Sequence, residues 1–124
     1  MTGESCPFCS CDRILFENAF AYVREDAYPV SPGHLLIISK RHVSDWFSLS
    51  AEEQRAMIEL LDRAKTYLDS RYHPDGYNAG VNCGEAAGQT VFHVHLHLIP
   101  RYAGDCPEPR GGIRGAIRSR QSYP

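Results

Sequence analysis

The chain has 124 residues, of which 43% are hydrophobic and 23% charged, and its formal net charge is −2. This length suits one domain with one core, and no run of about 18 apolar residues is present, which excludes a membrane-spanning helix. The N-terminal residues lack the basic and apolar regions of a secretory signal, so we expect a cytoplasmic protein. In that reducing compartment, the odd number of five cysteines argues against a disulfide framework.

The first third of the chain predicts three strands. Residues 13–17 and 19–24 have the composition of two short strands joined at Asn18, which indicates a hairpin. Two prolines in residues 29–33 fix backbone angles and indicate a turn. The unbroken apolar run Leu35–Ile38 predicts a central strand that is covered on both faces.

A long helix follows the third strand. Ser50 with Glu53 three residues later forms the capping-box pattern, and the apolar residues behind it recur at helical spacing. These features predict a helix over residues 51–71. Beyond it, residues 77–82 predict a fourth strand, and the small residues 84–88 predict a loop.

A row of histidines marks the next strand. His93, His95 and His97 alternate with apolar residues, so a strand over residues 90–99 that stops at Pro100 would present all three imidazoles on one face. The residues expected to face the core are Phe92, Val94, Leu96 and Leu98. Because strands precede and follow a single helix, the pattern predicts an α+β fold with an antiparallel sheet.

Three neighbouring imidazoles allow two chemistries. Either one histidine attacks a phosphorus or carbonyl centre while a neighbour protonates the leaving group, or two or three of them hold a catalytic metal. The flanking residues favour phosphate chemistry, because Gly88 allows a close approach of the backbone to a ligand. Gln89 and Thr90 add donors before the strand, and Asn82 ends the preceding strand.

A second group of candidate ligands lies near the N-terminus. Cys6 and Cys9 form a C-x2-C knuckle suited to zinc. His42 and one of the strand histidines would complete a Cys2His2 site, with Cys11 as a competing ligand. Such a closed site would be structural, and the alternative is a pair of free thiols.

The C-terminal residues are basic. Residues 101–124 carry five arginines against Asp105 and Glu108, a net charge of +3, which leaves −5 for the rest of the chain. Near a catalytic face such a tail would attract polyphosphate; the alternative is a solvated end. Residues 113–117 fit a further short strand.

Residues 87–101, AGQTVFHVHLHLIPR, resemble the signature of the histidine triad (HIT) family of nucleotide-binding hydrolases and transferases. A second block, residues 31–42 preceded by Asp26, is similar to another characteristic segment of the family, and Asn82 occupies the family's asparagine position. The resemblance implies a HIT-like α+β fold with a five-stranded antiparallel sheet, one long helix and one short helix. It also implies a homodimer in which the sheet continues across both subunits.

The resemblance implies a single HIT domain over residues 1–124. Residues 1–12 would form a zinc-knuckle N-terminus, and residues 102–124 a basic tail that contains proline and glycine. Residues 110–117 also resemble the end of bacterial members described as diadenosine tetraphosphate hydrolase-like. In family members with an N-terminal C-x2-C, a structural zinc is bound at the positions of Cys6, Cys9, His42 and His93.

The substrate implied by the resemblance is a nucleotide whose α-phosphate carries an amine, a phosphate or another nucleotide. His95 would attack that phosphorus to form a covalent nucleotidyl-histidine, which water hydrolyses to a nucleoside monophosphate. His97 would donate to the phosphate or the leaving-group oxygen, and Gln89 would contact the α-phosphate. The candidate nucleotide-binding residues are Asp26, His34, Asn82, Gly88, Gln89, Thr90 and His97.

The partners expected for this protein are an AMP-like purine nucleotide and a second copy of the chain, with neither nucleic acid nor membrane. Three alternatives stay open at this point. One is metal-dependent hydrolysis with His93, His95 and His97 on one zinc. The others are a nucleotidyltransferase of the same fold and a non-catalytic nucleotide sensor or interaction protein.

Overall fold

The computed structural model describes residues 6–124, so the first five residues of the expected knuckle segment lie outside the described residues. Five strands and one long helix make up the fold. The strands are β1 (Phe16–Glu17), β2 (Ala21–Glu25), β3 (Leu35–Ser39), β4 (Gly76–Val81) and β5 (His95–Arg101), and the helix is α1 (Ala51–Tyr72). Short 3-10 helices cover Trp46–Ser48, Glu85–Ala87, Gly112–Ala116 and Arg118–Arg120.

The strands form one antiparallel sheet in the order β1-β2-β3-β5-β4. β5 lies between β3 and β4, with His97 opposite Leu36 on one side and Gly80 on the other. The hairpin turn forms at Asn18, whose side-chain oxygen accepts the N–H of Ala21 at 3.0 Å. The predicted α+β fold with a five-stranded antiparallel sheet and one long helix is confirmed. Continuation of the sheet into a second subunit, for which β4 offers an edge, stays a prediction.

Helix α1 begins where the capping box predicts. Ser50 Oγ accepts from the main-chain N–H of Glu53 at 3.1 Å, and the Glu53 carboxylate accepts from the N–H of Ser50 at 2.9 Å. The helix continues one residue further than predicted, to Tyr72, and is capped by His73 in the left-handed region with φ 51°. Among residues 6–124, no helix is both long enough and apolar enough to cross a bilayer.

The two faces of the sheet are covered differently. One face packs on α1 and forms the main core, where Met57, Leu60 and Leu68 of the helix are fully buried. The opposite face is covered over β2 and β3 by the N-terminal segment. The buried residues of this second cluster are Cys6, Phe8, Tyr22, Leu36 and Ile38. The β5 part of this face carries His95 and His97, which places the histidines beside the N-terminal segment.

The histidine strand begins later than predicted. β5 starts at His95 rather than near residue 90. The N–H of Val94 donates to the carbonyl of Val43 at 2.9 Å, outside the sheet ladder. Phe92, predicted to face the core, is 36% exposed, whereas Val94 is fully buried. Alternation therefore predicts the buried positions from Val94 onward and is wrong for Phe92, which precedes the strand.

The histidine strand also continues past its predicted stop. Pro100 lies inside β5, which ends at Arg101. β3 pairs with β5 only as far as Leu98, whereas β4 pairs along it to Arg101. Proline has no main-chain N–H to donate to a neighbouring strand. It is tolerated here because no residue of β3 lies opposite it to accept such a hydrogen bond. The Pro100 carbonyl instead accepts from Ser31 Oγ at 2.7 Å.

Two further predictions are wrong in detail. β1 comprises two residues rather than 13–17, and Arg13 adopts φ 52°, which no strand residue has. Residues 113–117, which fit a strand, fall largely within a 3-10 helix. Gly111 has φ 90°, and a Cβ there would come within 2.0 Å of the carbonyl oxygen of Gln121. The tail therefore folds back on itself rather than adding a strand.

Candidate active site and metal centre

A cavity of about 530 Å³ opens on the sheet face that carries the histidines. Its wall includes seven residues that the sequence predicts to be catalytic or nucleotide-binding, namely Asp26, Asn82, Gly88, Gln89, Thr90, His95 and His97. They come from the ends of β2 and β4, from the loop before β5 and from β5 itself. The eighth, His34, lies against His97 with ring centroids 5.2 Å apart. The structure thus brings together the nominated nucleotide residues.

His95 is held by one ring nitrogen. Its Nδ1 lies 2.8 Å from the main-chain carbonyl oxygen of His93. Since a carbonyl oxygen only accepts, Nδ1 carries the hydrogen and the lone pair resides on Nε2. Burial lowers the pKa of His95 and outweighs the upward effect of this hydrogen bond, so the ring is neutral near pH 7. A neutral imidazole with its lone pair on Nε2 can act as a nucleophile.

A chain of hydrogen bonds fixes the tautomer of His97. The main-chain N–H of Val30 donates to His34 Nδ1 at 3.1 Å, so the neutral His34 ring carries its hydrogen on Nε2. That nitrogen lies 2.9 Å from His97 Nδ1, which must therefore accept. His97 is left with its own hydrogen on Nε2, as a donor in the cavity wall.

Burial keeps this pair of rings neutral. It lowers the pKa of His97 to about 4, assisted by the neighbouring His95 and His34 and opposed by Asp26. Burial also lowers the pKa of His34, again against the charge of Asp26. Near pH 7 both rings therefore act as neutral hydrogen-bonding groups rather than as cations.

Asp26, His34 and His97 also form a cluster of metal-capable side chains. Asp26 Oδ2 lies 3.4 Å from His34 Nε2 and 3.9 Å from His97 Nδ1. However, the Val30 hydrogen bond places a hydrogen on His34 Nε2, and a protonated nitrogen has no lone pair for a metal. The cluster therefore serves as a hydrogen-bonded chain rather than as a metal site.

Gln89 is buried beneath the loop that precedes β5 and is 3% exposed. Its side-chain oxygen accepts from the N–H of Gly84 at 2.8 Å. Its side-chain nitrogen donates to the carbonyls of Ser44, at 2.5 Å, and Val91, at 3.1 Å. Both amide hydrogens are thus used by the main chain, and Gln89 holds the loop together. The family resemblance, in contrast, predicts that Gln89 contacts the α-phosphate directly.

The cavity rim offers polar groups of another kind. Asn82 and Thr90 are exposed, and neither side chain forms a hydrogen bond with any residue in the described range 6–124. Gly88, between them in the chain, has φ 90° and presents no side chain. These residues are therefore available to a ligand.

A second cluster lies beside the cavity, where the N-terminal segment meets the sheet. Cys6 Sγ and Cys9 Sγ lie 3.2 and 3.4 Å from His93 Nδ1, and His42 Nδ1 lies 3.0 Å from Cys9 Sγ and 3.1 Å from His93 Nδ1. In a tetrahedral zinc site with bonds of about 2.0–2.3 Å, ligand atoms stand about 3.3–3.8 Å apart. The four side chains thus form a Cys2His2 group compact enough to hold zinc.

The orientation of His93 separates this cluster from the cavity. Its Nε2 donates to the main-chain carbonyl of Ser39 at 2.7 Å, which leaves the lone pair on Nδ1, facing the cysteines. His93 is completely buried. In the part of the chain described, the clusters containing His93 and His97 are different. The three histidines do not converge on one metal, and Cys11 is outside the four-ligand group.

Several residues that line the cavity are not among those predicted from the sequence. Pro7 and Phe8, the two residues between the knuckle cysteines, line it, and the Phe8 ring lies 4.9 Å from the ring of His95. Arg24 lines it as well. Arg24 lies in β2 two residues before Asp26, which directly follows the strand, so the period-2 pattern of a strand is the signal that could have found it.

Known proteins are similar to this chain over most of its length. The model of the HIT domain matches residues 10–104. A HIT-like protein of Mycoplasma pneumoniae is 42% identical over 108 residues, which are 82% of this chain and 75% of that protein. The crystal structure of a zinc-bound histidine triad family protein from Mycobacterium smegmatis is 33% identical. It superposes with a TM-score of 0.76 and covers 84% of this chain and 80% of that one.

A more distant relative carries a name that describes an activity. The AP-4-A phosphorylase of Mycobacterium tuberculosis is 30% identical over 93 residues, which are 74% of this chain but 48% of that protein. The family match includes every nominated cavity residue, together with His42 and His93, and begins after Cys9. This chain therefore belongs to the HIT domain family, whose members are broadly nucleotide hydrolases and transferases.

Proposed function

We propose that this protein hydrolyses nucleotides at the α-phosphate and releases a nucleoside monophosphate. The substrates would be nucleoside phosphoramidates or dinucleoside polyphosphates. The observation that carries the proposal is the tautomer of His95, whose Nδ1 hydrogen is bound by the His93 carbonyl and whose Nε2 lone pair lies in the cavity wall. A cavity of about 530 Å³ is of the size that small-molecule ligands occupy.

In the first step, His95 Nε2 attacks the α-phosphorus. A P–N bond forms while the bond from phosphorus to the leaving group breaks, and the leaving group takes that electron pair. Charge that develops on the phosphoryl oxygens is stabilised by donors fixed in advance around it. The His97 Nε2 hydrogen, fixed by the chain from Val30 through His34, would donate to the departing atom.

In the second step, water attacks the phosphorus of the nucleotidyl-histidine. The P–N bond breaks, its electron pair returns to Nε2 of His95, and the proton of the water is released to solvent.

Because the pKa of His97 is about 4, its ring stabilises the leaving group of the first step by a hydrogen bond rather than by transferring a proton. This favours phosphate leaving groups, which need no proton, over amines, which do.

The residues of the rim would hold the substrate. Asp26 Oδ1 accepts from the N–H of Tyr28 at 2.8 Å, and the remaining lone pairs of the carboxylate would accept from the ribose hydroxyls. Asn82 and Thr90 would donate to the α-phosphate, with Gly88 allowing it close to the backbone. Gln89 would act through the loop that it holds.

We also assign a structural zinc to Cys6, Cys9, His42 and His93. The distances between the ligand atoms support this assignment, as does the lone pair on Nδ1 of His93, which faces the cysteines. The Mycobacterium smegmatis relative is zinc-bound. When bound, zinc would cross-link the N-terminal segment to the sheet, with all four positions filled by protein and none open to water.

The test is to replace the nucleophile and look for the covalent intermediate. His95→Ala should abolish turnover of a dinucleoside polyphosphate while keeping nucleotide affinity, because only the attacking group is lost. Substrate labelled in its α-phosphate should leave acid-labile label on wild-type protein and none on His95→Ala. His73→Asn is the matched control, since His73 is an exposed histidine at the helix end.

The possible outcomes separate the alternatives. Retained turnover in purified His95→Ala protein rejects the proposed nucleophile. Label that passes to an added acceptor in preference to water indicates a nucleotidyltransferase. Tight nucleotide binding by wild-type protein without label or turnover indicates a sensor.

A further inference from the structure

Arg24 is a cation buried in the wall of the cavity. It lies on β2, its residue is 3% exposed, and it lines the same space as His95 and His97. Charged side chains are rarely this buried unless their hydrogen-bonding groups are satisfied. The contacts of each guanidinium nitrogen therefore matter.

One side of the Arg24 guanidinium is satisfied and the other is not. Its Nη1 donates to Asp12 Oδ1 at 2.7 Å and to the carbonyl of Pro7 at 3.3 Å. Its Nε is buried and has no hydrogen-bond partner among residues 6–124. Its Nη2 forms no hydrogen bond with any residue from 6 to 124. The Nε–Nη2 edge of the guanidinium is thus unused by the described protein.

That edge is the one with which arginine binds two acceptors at once. Two other arginines of this chain use it in this way. Arg41 holds Glu53 through Nε and Nη2, at 3.0 and 2.7 Å. Arg101 holds Asp105 through the same two nitrogens, both at 2.8 Å. No acceptor from residues 6–124 reaches this edge of Arg24, and a molecule bound in the cavity that Arg24 lines can supply a pair of acceptors.

The position of Arg24 matches the base of a nucleotide rather than its phosphate. In the sheet register, Arg24 lies opposite Leu36, and Leu36 lies opposite His97. Neighbouring strands are about 4.8 Å apart, so Arg24 stands about 10 Å from His97 between Cα atoms. The centre of the Phe8 ring lies 4.8 Å from the guanidinium carbon and 4.9 Å from the centre of the His95 ring, so Phe8 neighbours both groups. A phosphate at His95 would therefore leave its base near Phe8 and Arg24.

We propose that Arg24 selects guanine, donating from Nε and Nη2 to the O6 and N7 atoms of the base. This rests on the proposed function, in which the cavity holds a nucleotide. Guanine presents two adjacent acceptors on that edge, whereas adenine places an amino donor beside N7 and would oppose the guanidinium. Uracil lacks an adjacent acceptor pair, because an N3–H group separates its two carbonyls. The expected purine nucleotide is thus refined from AMP-like to GMP-like.

Calorimetric titration of the full chain with GMP, IMP, AMP and 7-deaza-GMP tests this assignment. GMP and IMP, which share O6 and N7, should bind about tenfold more tightly than AMP, the discrimination of one good bidentate pair. Removing N7 in 7-deaza-GMP should cost a similar factor. These comparisons leave the protein unaltered, so they hold even where an Arg24 variant fails to fold.

Two variants complete the test. Arg24→Lys keeps the charge beside Asp12 but has no planar edge, and it should bring the ratio of GMP to AMP affinity close to one. Asp12→Asn is the matched control, because it alters the opposite side of the guanidinium and should keep the preference for GMP. Wild-type protein that binds AMP as tightly as GMP overturns the assignment. So does Arg24→Lys protein that weakens GMP and AMP equally, which would indicate a phosphate-binding or structural role. Failure of all four nucleotides to bind rejects the nucleotide cavity itself, and the assignment with it.

Discussion

The main-chain carbonyl of His93 accepts the Nδ1 hydrogen of His95 at 2.8 Å. The side chain of His93 points the other way, with Nδ1 3.2 Å from Cys6 Sγ and 3.4 Å from Cys9 Sγ. One residue thus orients the candidate nucleophile through its backbone and contributes to the candidate metal centre through its ring. Any displacement of His93 would change the aim of His95, which would couple the candidate metal centre to the geometry of the candidate active site.

Replacement of Cys9 by serine should remove stoichiometric zinc and lower the melting temperature by roughly 10 °C, because a structural metal contributes directly to folding. Metal analysis and calorimetry on the same sample measure both quantities. Cys83→Ser is the control, since Cys83 lies outside the four-ligand group. Unchanged zinc content in Cys9→Ser would show that the metal assignment is wrong.

Two neighbouring residues of the cavity loop should respond differently to truncation. Gln89→Ala should lower the free energy of unfolding by about 2 kcal/mol, because it strips a partner from the N–H of Gly84 and from two carbonyls. Thr90→Ala should change the unfolding free energy by less than about 0.5 kcal/mol but weaken nucleotide binding several-fold. Urea denaturation and nucleotide titration separate the two effects. A Gln89→Ala protein of normal stability with impaired binding would instead indicate direct contact with the ligand.

Turnover should depend on pH through the neutral form of His95. Protonation removes the lone pair on Nε2, and burial lowers the pKa of His95 below its ordinary value of 6.5. Activity should therefore be lost as the pH falls, with a midpoint below 6.5, and should be flat from there to pH 8. The measurement is kcat/KM from pH 4 to 8, and His73→Asn should give the same profile. A rate that increases on acidification would mean that a protonated histidine is the active form.

Local signals in the sequence predict those elements whose causes are local. Ser50 and Glu53 are three residues apart and cap one another, so the start of α1 follows from the sequence alone. The limits of β5 depend on distant partners instead. The N–H of Val94 donates to Val43 outside the ladder, and Pro100 is tolerated because it lies beyond Leu98, the last residue of β5 that pairs with β3.

The same distinction applies to the site. The identities of His95 and His97 are evident from the alternating pattern, but their tautomers depend on contacts that no short motif contains. The donor that fixes His97 is the backbone of Val30, acting through His34. Gln89 lies within the signature, yet its amide is used by Ser44, 45 residues earlier. A motif therefore identifies the residues of a site more reliably than their roles.

Three backbone groups decide where the hydrogens of the site reside: the carbonyls of Ser39 and His93 and the N–H of Val30. Every residue type presents a carbonyl, and every type except proline presents an N–H. Amino-acid replacement at Ser39 or Val30 therefore need not disturb the pattern, provided that the chain keeps its path. The protonation of the imidazoles is thus set by the course of the main chain rather than by the side chains at these two positions.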